Sequence, residues 1–179
     1  NGMNASKLEQ NLTGVIVEMA LKMGLSRAPL SLNYPCASLA RMLDVPAGPQ
    51  AVKAALDAFF AARTGLFGAV QVEAHEDGFC LTIPAEGVAR VVSQAPAAAF
   101  LRDLIHTAQL PGATAEDLLA AFRRHSSHVH VEPVDNDEFD WLVYFEDGVP
   151  DDFRYCIDTH DGFASYHRFS KEDYEAFGF

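Results

Sequence analysis

Phe139-Asp140-Trp141-Leu142-Val143-Tyr144-Phe145 and, after a turn, Phe153-Arg154-Tyr155-Cys156-Ile157-Asp158 decide the fold class. Phe139, Trp141, Val143 and Phe145 fall at every second position, and so do Phe153, Tyr155 and Ile157. Alternate side chains of a strand share one face. Aromatic and β-branched residues suit a pleated, half-buried surface. The pattern therefore predicts strands over 139–145 and 153–158, each apolar on one side. Asp147-Gly148-Val149-Pro150 between them is a turn, and a short turn joins antiparallel neighbours.

Working outward, residues 127–132 and 163–168 read as two more strands. Asp135-Asn136-Asp137 and Asp161-Gly162 supply the remaining turns. The result is a four-stranded antiparallel meander, closed by a helix that Ser170 and Asp173 cap. Upstream, Phe100, Leu101, Leu104 and Ile105 mark a helix over 97–108. Thr114 with Asp117 caps another, which runs to about Arg124 through Leu118, Leu119 and Phe122. Arg123 and Arg124 suit the negative end of its dipole.

The first half is helix-rich. Ser6-Lys7-Leu8-Glu9 has the form of a capping box, followed by Leu8, Leu12, Val15, Ile16, Met19, Ala20 and Met23 at helical spacing. Leu30, Leu32 and Tyr34 alternate as a strand that Pro35 ends. A short helix over 37–43 carries Leu39 and Leu43 on one side. Gly48-Pro49 opens a longer one with Val52, Leu56, Phe59 and Phe60 as its buried stripe, ending near Gly65. Strands over 70–74 and 79–83 flank Glu76-Asp77-Gly78, a hairpin turn. Residues 85–94 read as short helix or irregular chain. The order of 4–84 is helix, strand, helix, helix, strand, strand, and Ser38-Leu39-Ala40-Arg41-Met42-Leu43-Asp44-Val45 resembles the second helix and turn of a winged helix. The fold expected is α+β, with a winged-helix-like part over 3–94 and an α+β part over 95–179.

A second resemblance spans most of the chain. It rests on Leu32-Asn33-Tyr34-Pro35, Ile83-Pro84-Ala85-Glu86-Gly87-Val88, Phe153-Arg154-Tyr155-Cys156, Tyr166-His167-Arg168-Phe169 and Glu172-Asp173-Tyr174-Glu175-Ala176-Phe177-Gly178-Phe179. These stretches are similar to a bacterial domain-of-unknown-function family of uncharacterised proteins. The resemblance implies no activity, cofactor or catalytic residue.

The net charge is −12, unevenly placed. Residues 91–179 hold six Lys/Arg against seventeen Asp/Glu. Nucleic-acid binding usually takes clustered Lys/Arg, so that half is a poor candidate for it. The helix after Gly48-Pro49, which would be the reading helix of a winged helix, leaves Gln50, Lys53, Ala54, Asp57 and Ala61 outside. The hairpin tip is acidic, the wrong sign for phosphate. A DNA-binding regulator is therefore disfavoured by charge. Cys36, Cys80 and Cys156 are odd in number and lack a CxxC, which suits free thiols in a reducing, cytoplasmic setting. No apolar run approaches a membrane span. No signal-peptide pattern opens the chain, and Asn1-Gly2 ahead of Met3 reads as a cloning remnant.

Candidate chemistry gathers on the last sheet. His125-x-x-His128-x-His130-x-Glu132 puts imidazoles and a carboxylate two apart on a strand, with Cys156, Asp158 and His160 as further donors a metal would need. Two histidines at i, i+2 are a weak signal and the plainer expectation is a solvated strand face, so no metal or cofactor is assigned. Opposite the apolar set lie His128, His130, Glu132, Asp140, Leu142, Tyr144, Arg154, Cys156, Asp158, Ala164, Tyr166 and Arg168. Of these, His128, His130, Tyr144, Arg154, Tyr166 and Arg168 form the candidate ligand-binding surface, two guanidiniums among aromatic walls being able to hold a carboxylate or phosphate. The plainer expectation is cross-strand pairing of Arg154 and Arg168 with Asp140 and Asp158. No nucleophile elbow, P-loop, GxGxxG or HExxH is present. Cys156 near His160 or His167 is the one imaginable thiol–imidazole pair. The expected function is a non-catalytic interaction or regulatory module binding a protein or a small ligand. The alternative is a small metal-dependent or ligand-processing enzyme on the His128/His130 face.

Overall fold

The apolar alternation around Val143 and Tyr155 does place a sheet, and part of its outer face is covered as well. The computed structural model describes residues 2–24, 27–134 and 136–177. Asn1, Asp135, Gly178 and Phe179, which enter the expectations above, lie outside them, as does the side chain of Ser6. Among the described residues the architecture is α+β, with eight helices and two antiparallel sheets. The chain divides into two compact units, residues 1–95 and 96–179. No helix among the described residues is long and apolar enough to cross a membrane.

The first unit contains α1 (Gly2–Lys22), β1 (Leu30–Pro35), α2 (Cys36–Leu43), α3 (Pro49–Ala61), α4 (Thr64–Phe67), β2 (Gln71–Ala74), β3 (Gly78–Ile83) and α5 (Ala85–Gln94). Its sheet has the order β1-β3-β2, antiparallel throughout. α1 already runs from Gly2, so Ser6 is an interior helical position and not an N-cap. Glu9 instead meets Arg63, whose Nε lies 2.8 Å from the carboxylate. α1 buries Leu8, Leu12, Ile16, Val17 and Ala20, while Met23 is exposed. On α2 the buried residues are Leu39, Ala40 and Met42, not Leu43. α3 buries the stripe expected of it. The added element is α4, whose Phe67 is fully buried against Phe59 and Phe60, with ring centroids 6.1 and 5.7 Å away. One helical turn is too short to show periodicity in sequence.

The second unit contains α6 (Ala98–Gln109), α7 (Ala115–His125), β4 (Val129–Pro133), β5 (Trp141–Phe145), β6 (Arg154–Asp158), β7 (Ser165–Phe169) and α8 (Lys171–Phe177). The sheet order is β4-β5-β6-β7, antiparallel throughout. Thr114 and Asp117 make the reciprocal capping bonds of α7, at 3.1 and 2.9 Å. Asp173 N–H donates to Ser170 Oγ at the head of α8. The inner face of the sheet carries Val143, Phe145, Tyr155 and Ile157, all buried. Phe145 and Tyr155 meet Phe100 of α6 and Phe122 of α7 in a cluster with centroids 4.8–5.8 Å apart. Such aromatic pairs add about 0.5–1.5 kcal/mol each beyond area burial.

The outer face departs from expectation. Leu142 and Cys156 are buried there together with Phe139, and Val134, Tyr144, Phe169 and Tyr174 pack against them. Phe139 thus belongs to the outer cluster, not to the inner set. The chain before β5 and the helix α8 fold over this side, so part of the face meets protein instead of water.

Candidate functional site

Directly opposed residues of an antiparallel pair project to the same side. The registers therefore sort the six candidate residues. His130 stands opposite Tyr144, and their rings lie 4.7 Å apart. Arg154 lays its guanidinium 3.9 Å above the other side of this neighbourhood, on the Tyr144 ring. His130, Tyr144 and Arg154 thus form one transverse row on the outer face. His128 lies one step before β4, exposed, with its carbonyl accepting from Glu146 N–H.

Tyr166 and Arg168 are elsewhere. Tyr166 is opposite Ile157 and Arg168 is opposite Tyr155, which puts both on the inner, helix-facing side. The expectation that they share the face of Arg154 is corrected accordingly. The odd-numbered residues Ser165, His167 and Phe169 take the outer positions instead. A strand that is aromatic or polar at both parities gives no signal for its register, and a one-residue slip exchanges the faces.

On the inner side Arg168 is almost completely buried and pairs with the buried Asp151 at 3.2 Å. Its Nε also donates to the Tyr155 hydroxyl at 2.8 Å, and that hydroxyl donates to Asp151. Phe153 lies under the guanidinium, 3.8 Å from ring centre to Cζ. Burial holds the Tyr155 phenol well above its usual range. Burial, followed by repulsion from Asp151, raises the neighbouring Asp152 carboxyl. Every strong polar group in this knot has a partner within it, so it is a fastening of the core and not an open site.

The expected pairing of Arg154 and Arg168 with Asp140 and Asp158 is absent among the described residues. Asp140 accepts from the Thr159 hydroxyl and N–H at 2.6 and 2.9 Å, which lowers its pKa. Asp158 accepts from His160 N–H and from the imidazole Nδ1. Nε2 of the same ring lies 3.8 Å from Asp140. His160 is raised above its ordinary value, first by the Asp158 hydrogen bond and then by the charge of Asp140. Among the described residues, Asp140, Asp158 and His160 are the His, Cys, Asp and Glu side chains near enough to share one cation. His128 and His130 are not in that group. A protonated His160 itself supplies positive charge between the two carboxylates.

Cys156 is fully buried, and burial pushes its thiol up to about 11. A thiolate is the reactive form, so Cys156 is a core residue, although His167 stands opposite it on the same face.

On the outer face Arg154 has few partners among the described residues. Its one hydrogen bond goes to the Asp152 carbonyl at 3.3 Å. Among the described residues no carboxylate pairs with it. Around it the outer face offers Tyr144, His130 in contact with Glu132 at 3.3 Å, and Tyr174 of α8. The Tyr174 phenol is raised chiefly by burial, with Cys156 and Glu132 pushing the same way and Arg154 opposing them. Sequence reasoning placed Arg154 here but missed Tyr174, whose helix shows no apolar stripe.

The fold and face define an α+β protein of two units, with a half-covered sheet surface on which Arg154 has no carboxylate partner among the described residues. The chain belongs to the family described as "Domain of unknown function, E. rectale Gene description (DUF3877)", whose family model matches residues 5–178. No curated protein and no solved structure matches the chain.

Proposed function

We propose that the chain is a non-catalytic interaction module that binds a small anionic ligand on the outer face of its second sheet. The observation that carries this reading is Arg154. It is held flat on Tyr144, yet in a chain of net charge −12 no carboxylate among the described residues pairs with it. A guanidinium presents a rigid fork of donors that suits carboxylate or phosphate. His130 and Tyr174 flank it as further polar contacts. An enzyme on the His128/His130 face is the weaker reading, since the donors that cluster lie at Asp140, Asp158 and His160.

In the first unit, the helix, strand, helix, helix, strand, strand order with α4 inserted supports a winged-helix-like unit that contacts protein. DNA reading has little support. Lys53, the one base on the outer face of α3, is neutralised by Asp57 at 2.7 Å, and specific DNA binders hold register through several phosphate contacts.

The test is a titration of the whole chain with inorganic phosphate and with acetate, followed by NMR of the arginine side-chain and backbone amides. Saturable shifts centred on His130, Tyr144 and Arg154, weakened at least tenfold in R154Q, are expected. Equal binding by R154Q, or no saturable response to either anion, would overturn the reading.

A further inference from the structure

β4 is an edge strand. It pairs with β5 on one side, and among the described residues no strand pairs with the other. The ladder fixes which backbone groups point each way. Glu146 N–H donates to the His128 carbonyl at 2.8 Å, and Val134 N–H donates to the Asp140 carbonyl at 3.0 Å. In the same register His130 stands opposite Tyr144 and Glu132 opposite Leu142. Hydrogen-bonded pairs alternate with pairs that are not, so the even-numbered residues of β4 direct their N–H and C=O to β5. The N–H and C=O of Val129 and Val131, and the C=O of Pro133, point out of the sheet. The side chains of Val129 and Val131 lie on the inner face and are only half-buried.

An open edge is a template for another strand, and this one is complementary to itself. Laid antiparallel about a twofold axis at Val131, two copies of β4 set Val131 against Val131, Val129 against Pro133 and His130 against Glu132. The two Val131 residues then exchange both backbone bonds, and each Val129 N–H meets a Pro133 carbonyl. Proline has no N–H to give, but in this register it only accepts. The His130–Glu132 pairs are of the close kind, with Cα atoms about 4.5 Å apart, and opposite polarity across such a pair is favourable. Moving one copy by two residues either way puts His130 against His130 or Glu132 against Glu132, so charge selects the register. β2, an edge of the other sheet, fails the same test. His75 N–H donates to the Gly78 carbonyl, which leaves Val72 and Ala74 pointing outward, and self-pairing there would set Glu73 against Glu73.

We propose that a second copy of this chain docks on the β4 edge, joining the two four-stranded sheets into one continuous antiparallel sheet. The contact is isologous, the same strand serving both copies. Glu132 of the second copy then stands beside His130 and extends the row of His130, Tyr144 and Arg154. The inference goes beyond the anion reading and does not depend on it, because the edge is built on the backbone of Val129 and Val131 and the anion site on the Arg154 guanidinium.

Sedimentation velocity of the whole chain over a range of concentrations tests it, and a concentration-dependent dimer is expected. V131P removes the central outward N–H and no bond to β5, a position where an edge strand accepts proline. It is expected to keep the far-UV circular dichroism and to weaken dimerisation at least tenfold. H130E and E132K each set like charges across the twofold axis and are each expected to weaken it at least tenfold. An equimolar mixture of H130E and E132K is expected to associate again, since every pair across the edge is then opposite in charge. Mixing would not undo a general loss of structure in either variant. A chain monomeric at every concentration, a V131P dimer as tight as the original, or a mixture that associates no better than its components would overturn the proposal. Dimerisation with no response to phosphate or acetate would overturn the anion reading alone.

Discussion

Arg168 lies directly across from Tyr155 in the β6–β7 ladder, and this one pairing takes its guanidinium off the outer face and onto Asp151. Arg154, on the adjacent strand, projects to the opposite side and keeps its donors largely free. Two arginines of similar sequence surroundings therefore do different work. One closes a buried network, and the other lies over the Tyr144 ring with no carboxylate partner among the described residues.

Breaking a buried ion pair by removing one partner leaves the other charge uncompensated, at a cost of about 3–5 kcal/mol. Arg168→Ala is expected to destabilise the chain by that amount in urea unfolding. Asp151→Ala is expected to cost at least as much, since the buried Arg168 guanidinium cannot shed its charge, whereas an unpaired Asp151 can take up a proton and keeps the Tyr155 hydroxyl as donor. The double variant D151A/R168A should be more stable than the sum of the single losses predicts, because neither charge is then left alone. Strict additivity would show that the two side chains do not form a pair in solution.

The parts of this arrangement that could be read from sequence are those with one clear parity. Val143, Phe145, Tyr155 and Ile157 recur at every second position, and their inward face follows. Val52, Leu56, Phe59 and Phe60 do the same at helical spacing. The α+β class and the four-strand meander rest on these. Ser165 to Phe169 has no such parity, so its register depends on where the preceding turn closes. Leu142 and Cys156 were legible only as interruptions of a polar face. Their burial requires Phe139 and Tyr174 to fold over them, and no local pattern encodes a cover supplied by separate segments. The Asp151–Arg168 contact joins residues 17 apart and leaves no periodic trace.

The imidazole of His160 lies between Asp158 and Asp140 and titrates above the ordinary histidine value of about 6.5. A folded-state pKa raised in this way stabilises the fold in acid, below the unfolded value, and that contribution is lost as pH rises through the folded pKa. The two carboxylates are lowered, so their contribution has the opposite sense. It is present above the ordinary carboxylate range and is lost as pH falls through their depressed values. The arrangement is most favourable between those limits. An NMR titration should place the His160 midpoint above that of an exposed histidine, and Asp158→Asn should bring it down. A midpoint unchanged by D158N would mean that Asp158 does not hold the ring.

Gly87 sits in α5, where general helix propensity favours Ala over Gly by about 0.5–1 kcal/mol. Local reasoning thus expects Gly87→Ala to stabilise the first unit. The packing reverses that sign. A Cβ at Gly87 would lie 1.9 Å from the Phe67 carbonyl oxygen and 2.6 Å from its carbonyl carbon. Both are backbone atoms at the end of α4, so no side-chain rotation relieves the clash. Phe67 is itself fully buried beside Phe59 and Phe60, and displacing it disturbs that cluster. Overpacking of this kind typically costs about 1–3 kcal/mol, more than the propensity gain. Gly87→Ala is therefore expected to lower the urea midpoint, with a net loss on the order of 1–2 kcal/mol. Gly65→Ala in α4, where an added Cβ meets nothing within 4 Å, should show no such loss. If both variants behaved alike, the close approach of α4 to α5 would not exist.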